Sequence, residues 1–174
     1  PLEPTVVETD KTDIPLPRED EKPFTSMSSN PFNGMSYNLA HYLDDILFTT
    51  PGRGIIVCGP DHPDETFPLQ LAYFAHIVGY PIIADPLSGL RFGDFEAEDE
   101  RLIAVGGYET FLNGAAPESP DVVIRFGQVP TSKWLNEYLE RAKPKHYLQV
   151  SKSGIWADDL HLTTDFIQIA PSEF

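Results

Sequence analysis

The sequence is short of three things, and each shortage removes a class of function. It has one cysteine, Cys58. A lone cysteine can form neither an intrachain disulfide nor a cysteine-built zinc site. Within the apolar run Ile55-Ile56-Val57-Cys58 it reads as a reduced core residue. Basic residues are also scarce: 12 Lys and Arg against 27 Asp and Glu leave a net charge of −15. Such a surface repels phosphate backbones and anionic lipid, so neither nucleic acid nor a membrane is expected as a partner. Finally, no apolar stretch approaches the roughly 18 to 20 residues of a membrane span, and the N-terminus has no basic or apolar leader pattern. A soluble, cytoplasmic location is expected.

Catalytic motifs are missing as well. The five histidines (His41, His62, His76, His146 and His161) show no metal-ligand spacing on any one element, and no Gly-x-Ser-x-Gly elbow is present. A dinucleotide site would need Gly-x-Gly-x-x-Gly directly after a strand. The first strand is followed instead by Gly59-Pro60-Asp61-His62-Pro63-Asp64, in which two prolines remove N–H donors and two aspartates repel phosphate. Gly106-Gly107 falls inside an expected helix without a strand before it. No catalytic residue, metal or cofactor site is expected on this chain by itself.

A length of 174 residues suits one domain with a tail. Residues 1–36 hold six prolines and the charged run Arg18-Glu19-Asp20-Glu21-Lys22, without apolar periodicity, and read as an interdomain linker. The opening Pro1-Leu2-Glu3-Pro4, with no initiator Met, is that expected of a piece of a longer polypeptide. Residues 37–174 read as the folded domain. Leu39, Tyr42, Leu43, Ile46 and Leu47 recur at helical spacing and predict a helix over 36–49. A strand over 55–58 and a helix ending at Gly79 come next, then a strand over 81–84, a helix over 101–112, a strand over 122–126, a helix over 132–141, and strands over 146–150 and 166–169. Strands alternating with helices predict right-handed crossovers. The fold class is α/β, a Rossmann-like open, mostly parallel sheet of about five or six strands with helices on both faces.

Two segments carry chemistry. Ala84-Asp85-Pro86-Leu87-Ser88-Gly89-Leu90-Arg91 starts where a strand ends, at the carboxyl edge where open α/β sheets bind ligands. A turn explains Pro86, Ser88 and Gly89 but not an arginine in a cation-poor chain, so turn alone and turn with an anion or interface contact both stand. In Arg125-Phe126-Gly127-Gln128-Val129-Pro130-Thr131-Ser132-Lys133-Trp134, Thr131 or Ser132 can cap a helix whose first turn contains Lys133. A cation there opposes the helix dipole and, with the free N–H groups, favours a bound anion. The plainer reading is a surface lysine with its stem on Trp134.

These segments, with Gly52-Arg53-Gly54-Ile55-Ile56-Val57, Gly79-Tyr80-Pro81-Ile82-Ile83 and Gly154-Ile155-Trp156-Ala157-Asp158, resemble the central domain of the MenD family. Its members are thiamine-diphosphate-dependent 2-succinyl-5-enolpyruvyl-6-hydroxy-3-cyclohexene-1-carboxylate synthases of menaquinone biosynthesis. The resemblance implies a parent transferase that uses thiamine diphosphate and Mg²⁺, decarboxylates 2-oxoglutarate and adds the succinyl unit to isochorismate. It places the cofactor on first and third domains of the same polypeptide; Gly93-Asp94-Phe95 is not the family's Gly-Asp-Gly motif. The fragment alone is then inactive and supplies one wall of a site for small carboxylates, and the parent is expected to be a homo-oligomer. The family's substrate-holding lysine carries over onto Lys133, next to Ser132; Arg91 and Ser88 carry over as further substrate contacts or as an interface with the first domain. Trp134 stands where some members have a second cation. Two alternatives are a related central domain binding FAD or NAD, and a stand-alone interaction domain.

Overall fold

The computed structural model describes residues 24–29, 37–49, 53–61, 64–92, 96–97, 100–101, 104–114 and 117–174. Most of the expected linker lies outside the described residues, as do His62 and Gly93-Asp94-Phe95.

The strands are β1 (Ser26–Ser29), β2 (Gly54–Cys58), β3 (Ile82–Ala84), β4 (Glu96–Ala97), β5 (Glu100–Arg101), β6 (Ala104–Val105), β7 (Val122–Phe126), β8 (His146–Val150) and β9 (Asp165–Gln168). Seven of them form one sheet in the order β1-β9-β8-β7-β2-β3-β6, and every neighbouring pair is parallel. Strands β4 and β5 make a separate antiparallel ribbon. The chain runs outward from β2 through β3 to β6, then returns to lay β7 on the other side of β2. The strand order therefore reverses between β2 and β7, at the heart of the sheet.

Burial on both faces explains the continuous apolar runs. All five residues of β2 and of β7 are buried. Ile56, Cys58, Ile124 and Phe126 face helices α1 (Tyr37–Thr49) and α2 (Phe67–Val78). Ile55, Val57 and Val123 face α3 (Tyr108–Leu112) and α4 (Lys133–Ala142). Each fully buried side chain of this kind contributes about 1.5–3 kcal/mol of transfer free energy. Cys58 is buried among them, and burial pushes its thiol pKa upward. Helix α2 takes Pro68 in its first turn, where no N–H is needed, and ends at Gly79 with φ 71°.

Seven parallel strands exceed the five or six expected, and both extra strands lie at the sheet's edges. Strand β1 comes from the segment read as linker; its only large apolar side chain, Met27, is 73% exposed, so no core-facing alternation marks it. Strand β6 and Arg101, the second residue of ribbon strand β5, fall in the stretch 101–112 read as one helix, of which Tyr108–Leu112 is the helical part among the described residues. Gly106-Gly107 separate the two elements, so these glycines do come directly after a strand, contrary to the sequence reading. Leu102 and Ile103, within the same stretch, lie outside the described residues. No helix among the described residues is long and apolar enough to cross a membrane.

Candidate functional site

Because the strands are parallel, the loops after β3 and β7 emerge at the same carboxyl edge, two strands apart, or about 10 Å at ordinary strand spacing. They bring the segment 85–91 beside the segment 127–133. The link is Asp85, which is fully buried. One carboxylate oxygen accepts from the Leu87 N–H at 2.9 Å, closing the local turn. The other accepts from both the backbone N–H and the hydroxyl of Thr131, at 2.7 and 2.8 Å. Sequence reasoning took Asp85 only as part of the turn segment and Thr131 only as an alternative to Ser132 for the helix cap; an acid ending a strand before Pro is a turn signal, and nothing local shows that its second oxygen reaches another loop.

Ser88 is buried inside the turn. Its hydroxyl donates to the Asp85 carbonyl at 2.7 Å and accepts from the Leu90 N–H at 3.2 Å. Arg91 folds back along the strand end: Nε donates to the Ala84 carbonyl at 2.7 Å, and the guanidinium lies 5.4 Å from the centroid of the Tyr108 ring. The hydroxyl of Tyr108 is buried without a hydrogen-bond partner. Burial, then the Asp85 charge, push its pKa up against the opposing pull of Arg91. The side chain of Arg91 is thus anchored at Nε against the strand end, and the residue as a whole is partly exposed.

Ser132 is the N-cap of α4, accepting from Leu135 N–H at 3.3 Å. Lys133 is the first helical residue, with a side chain 78% exposed. Its ammonium lies 3.5 Å from Glu137, one turn on, and 5.8 Å from the Trp134 ring centroid. An exposed pair of this kind holds weakly, about 0.3–0.5 kcal/mol, so the ammonium is readily drawn to a better anion. Among the four residues singled out, then, Arg91 and Lys133 present charge at the edge, while Ser88 and Ser132 spend their hydroxyls on the turn and the cap.

The crevice where the strand order reverses is the usual ligand position in such sheets, and here it is filled by backbone. Gly59 N–H donates to the Phe126 carbonyl at 2.9 Å, and Gln128 N–H donates to the Pro60 carbonyl at 3.0 Å. Donors that would face a diphosphate are spent between loops, and Asp61 adds a carboxylate beside them. Among the described residues, the N–H groups of Gly59 and Gln128 are thus not turned toward a diphosphate. Among the described residues no group of three or more His, Cys, Asp or Glu is placed to hold a metal ion.

A buried cation lies one strand along. Arg125, on β7, is 2% exposed; it donates to the Ala157 carbonyl, lies 5.6 Å from the Tyr147 ring centroid, and leaves Nε unpartnered. The connection 151–164 lies over this end of β7, with Asp158 accepting from Leu162 and Thr163 N–H groups at 3.1 and 2.9 Å. Arg125 therefore pins a loop. Its position in an apolar strand concealed that role from sequence reasoning.

Comparison with known proteins places this geometry. Residues 18–174 match a family described as the middle domain of thiamine pyrophosphate. The 2-succinyl-5-enolpyruvyl-6-hydroxy-3-cyclohexene-1-carboxylate synthase of Roseiflexus sp. (strain RS-1) is 40% identical over 178 residues, covering 100% of this chain and 29% of the relative. The enzyme of the same name from Roseiflexus castenholzii is 39% identical over 96% of the chain and 28% of the relative. That of Bacillus cytotoxicus is 35% identical over 70% of the chain. The chain thus spans less than a third of the length of these relatives.

Proposed function

Since the chain belongs to the family of thiamine pyrophosphate middle domains, in the branch found in MenD synthases, we propose that it works as the central domain of such a synthase in the cytoplasm. The whole enzyme, by this reading, is a homo-oligomer that joins the succinyl unit of 2-oxoglutarate to isochorismate. Thiamine diphosphate and Mg²⁺, held by other domains of the same polypeptide, supply the decarboxylation chemistry. This chain supplies one wall of the substrate site.

The observation that carries the reading is the juxtaposition of Arg91 and Lys133 on two loops of one sheet edge, tied together through Asp85 and Thr131. Both substrates are polyanionic carboxylates, and a chain of net charge −15 needs cations gathered at one place to receive them. Lys133 holds a substrate carboxylate, with the α4 N–H groups behind it. Arg91, a partly exposed residue at the same edge, is the second contact. Ser88 and Ser132 act indirectly, by shaping the turn and the helix start. The closed backbone between β2 and β7 favours this role over a nucleotide-binding one.

The test is an assay of the full-length protein against this chain alone, with thiamine diphosphate, Mg²⁺, 2-oxoglutarate and isochorismate. Loss of isochorismate at about 1 s⁻¹ or faster is expected of the former and none of the latter. Turnover by the chain alone, or tight binding of FAD or NAD to it, overturns the assignment.

A further inference from the structure

Resting on the reading that Lys133 holds a substrate carboxylate, we propose that Asp85 is the positioning residue that sets where Lys133 stands. Asp85 is fully buried, so it acts through its neighbours. An Asx turn requires one carboxylate oxygen, and the Leu87 N–H uses it. The second oxygen is spent on Thr131, 46 residues away. There it takes two donors from a single residue, the N–H and the hydroxyl, which fixes the orientation of that peptide as well as its distance.

The residues after Thr131 are locked in turn. Ser132 caps Leu135, and the Asn136 side-chain amide returns to the Pro130 carbonyl at 2.8 Å. Residues 130–136 are therefore tied to one another; Leu135 packs that piece against Val57 and Val123 on the face of the sheet, and Asp85 fastens its leading end to the end of β3. The adjacent residue on the same strand end, Ala84, fastens Arg91 through its carbonyl. Two consecutive residues thus set the separation of the two cations, across the end of β2 that lies between them. A pair of hydrogen bonds to a buried carboxylate holds such a distance far better than exposed side chains could, and carboxylate recognition by two groups depends on that distance.

The experiment uses the full-length synthase, with 2-oxoglutarate and isochorismate each varied at saturation of the other. Thr131→Val deletes one donor to Asp85 without touching Lys133, and it raises KM for one carboxylate substrate roughly three- to tenfold while kcat changes less than about twofold. Thr131→Ser keeps both donors and recovers the wild-type KM. Asp85→Asn, which must turn an amide donor toward one of the N–H groups, raises KM further. In a Lys133→Ala background, Thr131→Val has no additional effect on KM, because the group being positioned is gone. Unchanged KM in Thr131→Val with a raised KM in Lys133→Ala overturns the positioning role alone, as does strict additivity of the two. An unchanged KM in Lys133→Ala removes the substrate role of Lys133 and this inference with it. Should Asp85→Asn fail to fold, the threonine variants and the double mutant still decide.

Discussion

A Cβ added to Gly59 would stand 1.8 Å from the carbonyl oxygen of Gln128, closer than any non-bonded atom can approach. The loops after β2 and β7 interlock there, with Gly127 at φ 78° completing the contact from the other side. Gly59→Ala cannot be relieved by a side-chain rotation, because its obstacle is backbone. The loss of stability should reach about 3 kcal/mol or more. Urea unfolding of the chain measures it, and a midpoint within error of wild type would show that the loops can part.

On the proposed role of Lys133, Lys133→Ala in the full-length protein is expected to remove a charge-assisted hydrogen bond to a substrate carboxylate. At roughly 1.5–3 kcal/mol that is a 10- to 150-fold fall in kcat/KM. Since the side chain is 78% exposed, with only a weak pair to Glu137, the thermal midpoint should stay within about 2 °C. Steady-state kinetics and a melting curve on the same preparation separate the two effects. Unchanged kinetics would return Lys133 to the status of a surface residue.

Truncation at the N-terminus tests strand β1. The Thr25 hydroxyl donates to the Thr163 carbonyl at 2.7 Å, the Ser26 hydroxyl donates to the Asp165 carboxylate, and the strand pairs with β9 over four residues. Deleting residues 1–30 removes these bonds, one of them to the buried Asp165 carboxylate, and opens the β9 edge. A fall of about 2–3 kcal/mol, or 5–10 °C in a chain of this size, is expected. Deleting residues 1–23 leaves those bonds in place and should cost less. Equal midpoints for the two truncations would show that β1 contributes nothing.

Tyr42 gives the fold an alkaline limb. Its hydroxyl lies 3.1 Å from Asp165, and its pKa is pushed up to about 12, by burial first, then by the Asp165 charge and the hydrogen bond to it. A raised folded-state pKa means stability present below the unfolded value of 10 and lost as pH rises toward 12. The ring is 40% exposed, so solvent screening keeps the effect small, about 1 kcal/mol or less. Tyr42→Phe should be less stable than wild type near neutrality, and the gap should narrow at about pH 11. Denaturant midpoints at the two pH values check this; a constant gap refutes it.

Legibility in the sequence followed burial. Strands β2, β7 and β8 sit in the middle of the sheet and are covered on both faces, so Ile55–Cys58 and Val122–Phe126 stand out as apolar runs. Edge strands β1 and β6 meet solvent, and neither Ser26–Ser29 nor Ala104–Val105 carries a pattern that differs from a loop or a helix start. The same contrast governs the site. Arg91 and Lys133 were conspicuous as cations in an acidic chain, whereas Asp85 is one of 27 acids and its reach to Thr131 exists only once β3 and β7 flank β2. Arg125 was visible by type, yet the loop it pins arrives from a connection 32 residues away.

The pairing of β1 with β9 also fixes an order of assembly. Ser26 and Asp165 are 139 residues apart, so β1 leaves the ribosome long before the strand it pairs with has been made. Until then the chain must keep β1 unpaired. A serine-rich segment, with a single exposed methionine and a proline-rich, charged stretch before it, is poorly suited to pair with anything else in the meantime. The weak pattern that hid β1 from the sequence reading is what lets it wait.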